Sequence, residues 1–126
     1  MTQACILVIE DSEADQFLFK LLAEEQYPEL EIIQAYDGQQ AHEMLTTTDL
    51  KPDIIFLDIN MPRMNGYEFL EATQDIIIEK NTTVFMLTSS NQESDKTKAL
   101  GYTCVRDYVE KPFRIEFLEK ALTLQH

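Results

Sequence analysis

The sequence predicts an α/β fold: a doubly wound parallel sheet with helices on both faces. Three observations predict it. Short apolar runs alternate with helix-like segments five times along the chain. The central run, Ile54-Ile55-Phe56-Leu57, is apolar at every position, as a strand covered on both faces must be. The length, 126 residues, suits one ordinary domain with a real core and is too short for two.

Residues 4–9, Ala-Cys-Ile-Leu-Val-Ile, form the first apolar run and read as a strand. From Ser12 to about Glu25 the period changes to a helical one, with Ala14, Leu18, Leu21 and Leu22 as the expected inward stripe. Phe17 and Phe19 flank that stripe on opposite sides, and Asp11 or Ser12 can cap its start. Tyr27-Pro28 ends the helix. Glu31–Tyr36 is the second strand, closed by Asp37-Gly38, and Gln39 to about Thr47 is the second helix, with Ala41, Met44 and Leu45 inward.

The third strand is Asp53–Asp58, followed by a turn containing Pro62 and Gly66. The third helix runs from about Gly66 to Ile78, with Phe69, Leu70 and Thr73 at helical spacing; the β-branched Ile76-Ile77-Ile78 is read as its end. Thr83–Thr88 is the fourth strand. Ser89-Ser90-Asn91 precede a polar, weakly patterned helix from about Glu93 to Leu100. Val105–Val109 is a fifth strand, less apolar and suited to a sheet edge. A last helix runs to about Leu124, with Ile115, Leu118, Ala121 and Leu122 inward. Right-handed crossovers favour the flavodoxin-like (βα)5 order 2-1-3-4-5, in a single domain over residues 1–126 with no output domain attached.

The charge balance excludes some functions. Ten Lys and Arg against 23 Asp and Glu give a net charge of −13, unsuited to a phosphate backbone, so no nucleic-acid partner is expected. Residues 1–88 carry 17 acids and four bases, whereas residues 89–126 carry six of each. No run approaches a membrane span and no leader precedes the first strand, which implies a cytoplasmic protein away from the membrane. Cys5 and Cys104 lack metal-ligand spacing and read as small buried hydrophobes; His42 and His126 read as surface residues.

Chemistry is expected where ligands gather in open α/β sheets, outside the C-terminal strand ends at the topological switch point. Asp58 ends the central strand and taken alone could equally cap the loop that follows. The other strand ends add Glu10 and Asp11 after the first strand, Thr88 on the fourth and Lys111 just after the fifth. Three carboxylates at neighbouring strands repel unless a cation joins them, and an all-oxygen set suits Mg²⁺. Thr88 and Lys111 supply donors for phosphoryl oxygens, so Asp58 can serve as a nucleophile to phosphorus.

The set Glu10-Asp11, Asp58-Ile59-Asn60-Met61-Pro62-Arg63-Met64-Asn65-Gly66, Thr88-Ser89-Ser90 and Lys111-Pro112-Phe113 resembles the receiver domain of bacterial two-component response regulators, over essentially the whole chain. The resemblance implies that Asp58 accepts a phosphoryl group from a phosphohistidine of a sensor kinase or a histidine phosphotransfer protein. It implies Mg²⁺ held by Asp11, Asp58 and the backbone carbonyl of Asn60, with Glu10 helping through water. Lys111 would contact the phosphoryl group, and Lys111-Pro112 would be cis. Thr88 and Tyr108 match the switch positions, and Asn60 and Ser90 match positions that tune acyl-phosphate lifetime. A downstream protein would dock on the face of the fourth helix, fifth strand and fifth helix. The protein would be a monomer or weak homodimer, and not an enzyme beyond self-phosphorylation and slow loss of the phosphate.

Two features depart from the common pattern. Ser89 stands where many receivers have Ala or Gly, and residues 101–107 lack the usual Gly-Ala pair, as in small stand-alone, chemotaxis-regulator-like receivers. Two rivals share the residues. An Asp-nucleophile phosphatase would usually carry a second acid at position 60, where Asn60 stands, and a cap domain. A docking module independent of phosphate would usually have lost the acids or the lysine.

Overall fold

The computed structural model describes residues 4–61, 64–89 and 93–124, with only the backbone described for 93–96 and 124. Pro62, Ser90 and His126, each part of an expectation above, lie outside the described residues. The elements follow in strict alternation: β1 (Cys5–Ile9), α1 (Glu13–Gln26), β2 (Glu31–Ala35), α2 (Gly38–Thr47), β3 (Ile54–Asp58), α3 (Gly66–Glu79), β4 (Thr83–Thr88), α4 (Glu93–Leu100), β5 (Val105–Glu110) and α5 (Ile115–Leu124). All strand pairs are parallel and the order is β2-β1-β3-β4-β5, the flavodoxin-like arrangement that the pattern predicts.

The register sets the strand ends level. Ile9 pairs with Leu57, Asp58 with Leu87 and Thr88 with Glu110, so the polar residues after these positions emerge along one rim. Alternation along the strands divides the apolar residues between two faces. Leu7, Ile9, Ile55, Leu57, Val84 and Met86 meet α2 and α3 through Ala41, Leu45, Phe69 and Leu70. Ile6, Val8, Ile54, Phe56, Phe85 and Leu87 meet α1 and α5 through Phe19, Ala23, Leu118 and Ala121.

Two expectations are corrected. The inward row of α1 is Gln16, Phe19 and Ala23, while Ala14 is exposed and Leu21 is 43% exposed. Leu18 and Leu22 are half-buried, and Phe17, at 67%, faces solvent. The row starts with a polar residue, so counting apolar positions alone rotates the stripe. Gln16 is buried with its side-chain amide nitrogen within hydrogen-bond distance of three backbone carbonyls, which share its two hydrogens: Val8 at 3.0 Å, Glu10 at 3.2 Å and Ala35 at 2.9 Å. His42 is likewise not a plain surface residue: it is half-buried, with Nδ1 2.8 Å from the Thr73 hydroxyl of α3. Cys104 is buried and Cys5 half-buried.

Helix α4 has little apolar patterning of its own and is tied to α3 by polar contacts. The Tyr102 hydroxyl just beyond it bonds Glu71 Oε1 at 2.7 Å, and the Lys98 ammonium sits 4.2 Å above the Tyr67 ring. Among the described residues no helix is long and apolar enough to cross a membrane.

Candidate functional site

The rim of the sheet gathers the predicted residues, beginning at β1. Glu10 continues the β1 ladder with its N–H on Ala35 O at 3.0 Å, and the Gln16 amide holds its carbonyl. Its side chain therefore turns inward. Glu10 is 1% exposed, and its Oε2 accepts the Ser12 N–H at 3.0 Å. Asp11, one residue further, is exposed. Ser12 then caps α1, its hydroxyl oxygen accepting from the Asp15 N–H at 3.2 Å.

Asp58 ends β3 and is 3% exposed. Its Oδ1 accepts the Asn60 N–H at 3.3 Å, while the Ile59 N–H bonds Leu87 O at 3.1 Å and the Gly66 N–H bonds Ile59 O at 2.9 Å. The turn thus doubles back on the strand end so tightly that a Cβ at position 66 would lie 2.7 Å from Asp58 O. Glycine is required there by close approach rather than by an unusual backbone angle. Asn60 itself is exposed.

From the other side come β4 and β5. Thr88 is fully buried, and its carbonyl accepts the Lys111 N–H at 2.7 Å. The Lys111-Pro112 peptide is cis, as the resemblance implies. Phe113 behind it is buried against Phe19 and Phe56, with ring centroids 4.2 and 5.8 Å away, which fixes the loop to the core. The Lys111 ammonium is thereby aimed at the acids. It forms an ion pair with Glu10, lies 3.0 Å from Asp15 Oδ2 and 3.5 Å from Asp58 Oδ1. Asp15 and Gln16 are the site neighbours that motif reading passes over. An acid one helical turn past Asp11 was the only signal for the first, and a polar residue in an inward row the only one for the second.

Tyr108 sits on β5 opposite Met86, half-buried against the α2–α3 side of the core. It also lines a surface depression of about 210 Å³ with Phe85, Phe117 and Lys120.

The electrostatics of the cluster are unbalanced. Burial pushes the Glu10 carboxyl up to about 8, although Lys111 and the Ser12 N–H pull against it. Burial raises Asp58 as well, again against Lys111. Burial disfavours the Lys111 charge, but its bonds to Glu10 and Asp15 and the field of Asp58 outweigh that and hold it above the usual lysine range. Carboxylates so placed need more positive charge than one ammonium supplies. One oxygen each from Glu10, Asp11 and Asp58 lies within 4.8 Å of the others, which fits a hard divalent cation with oxygen ligands.

Comparison with known proteins agrees with this geometry. The family model for the response regulator receiver domain matches residues 6–123. The chain is 30% identical to protein-glutamate methylesterase/protein-glutamine glutaminase 1 of Myxococcus xanthus, over 96% of this chain and 36% of that protein. It is 28% identical to the sensor histidine kinase CheAY of Helicobacter pylori, over 90% of this chain and 14% of that protein. The chain thus spans about a third or less of the length of these curated relatives, and the activities in their names belong to them. Among solved structures, a two-component response regulator from Cytophaga hutchinsonii superposes with a TM-score of 0.86 at 26% identity, covering 99% of this chain and 98% of that one. The Mn²⁺-bound form of response regulator Rcp1 superposes with a TM-score of 0.76 at 28% identity, covering 94% of this chain and 88% of that one. With a matching family model over nearly all its length, the chain belongs to the response regulator receiver domain family.

Proposed function

We propose that the chain is a phosphorylation-controlled interaction switch whose phosphoacceptor is Asp58. The observation that carries this reading is the position of Asp58: buried at the end of the central strand, beside Lys111 and within ligand distance of Glu10 and Asp11. An Asp58 carboxylate oxygen attacks the phosphorus of a phosphohistidine on a sensor kinase or phosphotransfer protein. The O–P bond forms, the N–P bond breaks, and the imidazole nitrogen leaves with the electron pair.

Glu10, Asp11 and Asp58, with the Asn60 carbonyl, would hold Mg²⁺, which when bound neutralises charge on the transferring phosphoryl oxygens. Lys111 and the Thr88 hydroxyl bind those oxygens as the group arrives. Thr88 and Tyr108 then shift together and change the face built by α4, β5 and α5, where a downstream protein docks. Asn60 and Ser90 set how readily water reaches the acyl phosphate. The protein works in the cytoplasm, away from membrane and nucleic acid, as a monomer or weak homodimer. It catalyses only its own phosphorylation and the slow loss of the group. A phosphatase reading is disfavoured because the Asn60 carboxamide cannot act as an acid or base.

The test is intact mass after incubation with Mg²⁺ and phosphoramidate, a small donor with an N–P bond. The expected result is one added phosphoryl group on the unmodified sequence and none on Asp58→Asn. No addition to the former, or addition surviving in the latter, overturns the reading.

A further inference from the structure

Lys111 is shared among three carboxylates that differ in one respect. The side chains of Glu10 and Asp58 are 2% and 4% exposed, fixed in the interior, whereas that of Asp15 is 45% exposed on the first turn of α1. The ammonium has three hydrogens to give. It donates one to Asp15 Oδ2 at 3.0 Å, a hydrogen bond spanning 96 positions of sequence, while its 3.5 Å contact with Asp58 is an ion pair beyond good hydrogen-bond length. Lys111 stands closest to the fixed Glu10 and nearer the exposed Asp15 than Asp58, so Asp15 is the partner it can release.

Resting on the phosphoacceptor reading above, we infer that Asp15 is a positioning residue that acts through Lys111, holding its ammonium off Asp58 until a phosphoryl group competes for it. A phosphoryl group on Asp58 brings close to two negative charges and several acceptor oxygens. Lys111 turns to meet them and gives up its bond to Asp15. That lost bond counts against the phosphorylated form, and the Asp15 charge also repels an anionic donor at the rim. Asp15 thus restrains phosphorylation and favours the resting state. An ordinary acid in a first helical turn serves only the helix dipole and has no need of a partner on a distant loop.

The experiment follows the phosphorylation time course of the full chain by intact mass, with Mg²⁺ and phosphoramidate, for the unmodified sequence, Asp15→Asn, Asp15→Glu and Glu13→Gln, with thermal unfolding of each in parallel. Glu13 is an exposed acid of the same turn and serves as the control for charge alone. Asp15→Asn is expected to phosphorylate roughly two- to fivefold faster, the range an exposed ion pair supports. Asp15→Glu should stay near the original rate and Glu13→Gln should not change it. A purely structural Asp15 would move the unfolding temperature and leave the rate alone, which overturns the inference. Equal acceleration by Glu13→Gln overturns it too, because net charge would then be the cause. If the unmodified chain takes up no phosphoryl group, the phosphoacceptor reading itself falls and the inference with it.

Discussion

At the scale of single residues, the same burial produces opposite roles on opposite ends of the sheet. At the C-terminal rim, buried Glu10 and Asp58 are raised and crowded around one ammonium, leaving an excess of carboxylate that a divalent cation would relieve. At the other end, Cys5 begins β1 with its N–H on Asp53 Oδ2 at 2.7 Å. Burial, then the charges of Glu31 and Asp53, push its thiol from 9.0 up to about 11. The thiolate is the reactive form, so raising the thiol's pKa makes it scarcer at any pH below 9. A shift of this size removes roughly 99% of the thiolate at pH 8, and the higher intrinsic nucleophilicity of a more basic sulfur restores part of the loss, leaving Cys5 roughly tenfold slower than a free thiol. Iodoacetamide labelling followed by peptide mass should show this difference between the native and the urea-unfolded chain, with the native rate climbing as pH approaches 11.

Elements place these residues, and the turn from β3 into α3 does most of the placing. Asn65 caps α3 and, with Glu68, forms a reciprocal capping box, which starts the helix at Gly66. Starting there brings the helix backbone against Asp58 O, where a Cβ at position 66 would be 2.7 Å away and would also lie 3.0 Å from Ile59 Cα. Both neighbours are main chain and cannot rotate aside. Gly66→Ala is therefore expected to destabilise by about 1–3 kcal/mol, the usual cost of overpacking, outweighing the at most ~1 kcal/mol that alanine gains in helix propensity. Urea denaturation checks the sign, and a slower uptake of phosphoryl groups should accompany it because Asp58 moves. Helix α4 makes the complementary point. Its own pattern is weak; Ala99 is buried in the core, and the Tyr102–Glu71 hydrogen bond and the Lys98 ammonium over the Tyr67 ring add polar contacts to α3.

For the whole molecule, two aromatic-rich cores on either face of one sheet work against a net charge of −13. Phe19, Phe56, Phe85 and Phe113 form a chain of ring contacts through the α1–α5 side, from the middle of the sheet to the loop that carries Lys111. Self-repulsion among 23 acids opposes compaction, and it is the part that salt can screen. Raising sodium chloride from about 0.02 to about 0.5 M shortens the screening length severalfold and should stabilise the fold by about 1 kcal/mol, or roughly 3–6 °C in Tm. Differential scanning calorimetry in a chelating buffer measures this without interference from divalent cations. An unchanged or lower Tm would mean that specific ion pairs, which salt weakens, dominate the charge balance.

What repeats along the chain, or stands alone in it, is legible from the residues in order. Five alternations of a short apolar run and a segment of period 3.6 point to a parallel sheet, because a strand covered on both faces is apolar throughout while a helix shows one apolar stripe; right-handed crossovers then favour its order. The acids, threonine and lysine at strand ends were legible for the same reason, since a polar residue ending an apolar run has no packing role to hide behind. How those groups are shared follows from contacts between distant elements. The inward row of α1 begins at Gln16 because the carbonyls of Val8, Glu10 and Ala35 converge on its amide, a demand that no local pattern records. His42 found Thr73 across two helices, and Lys111 found Asp15 across 96 positions. Periodicity reports which face of an element is apolar; which polar atoms meet depends on distances between elements that are remote in sequence.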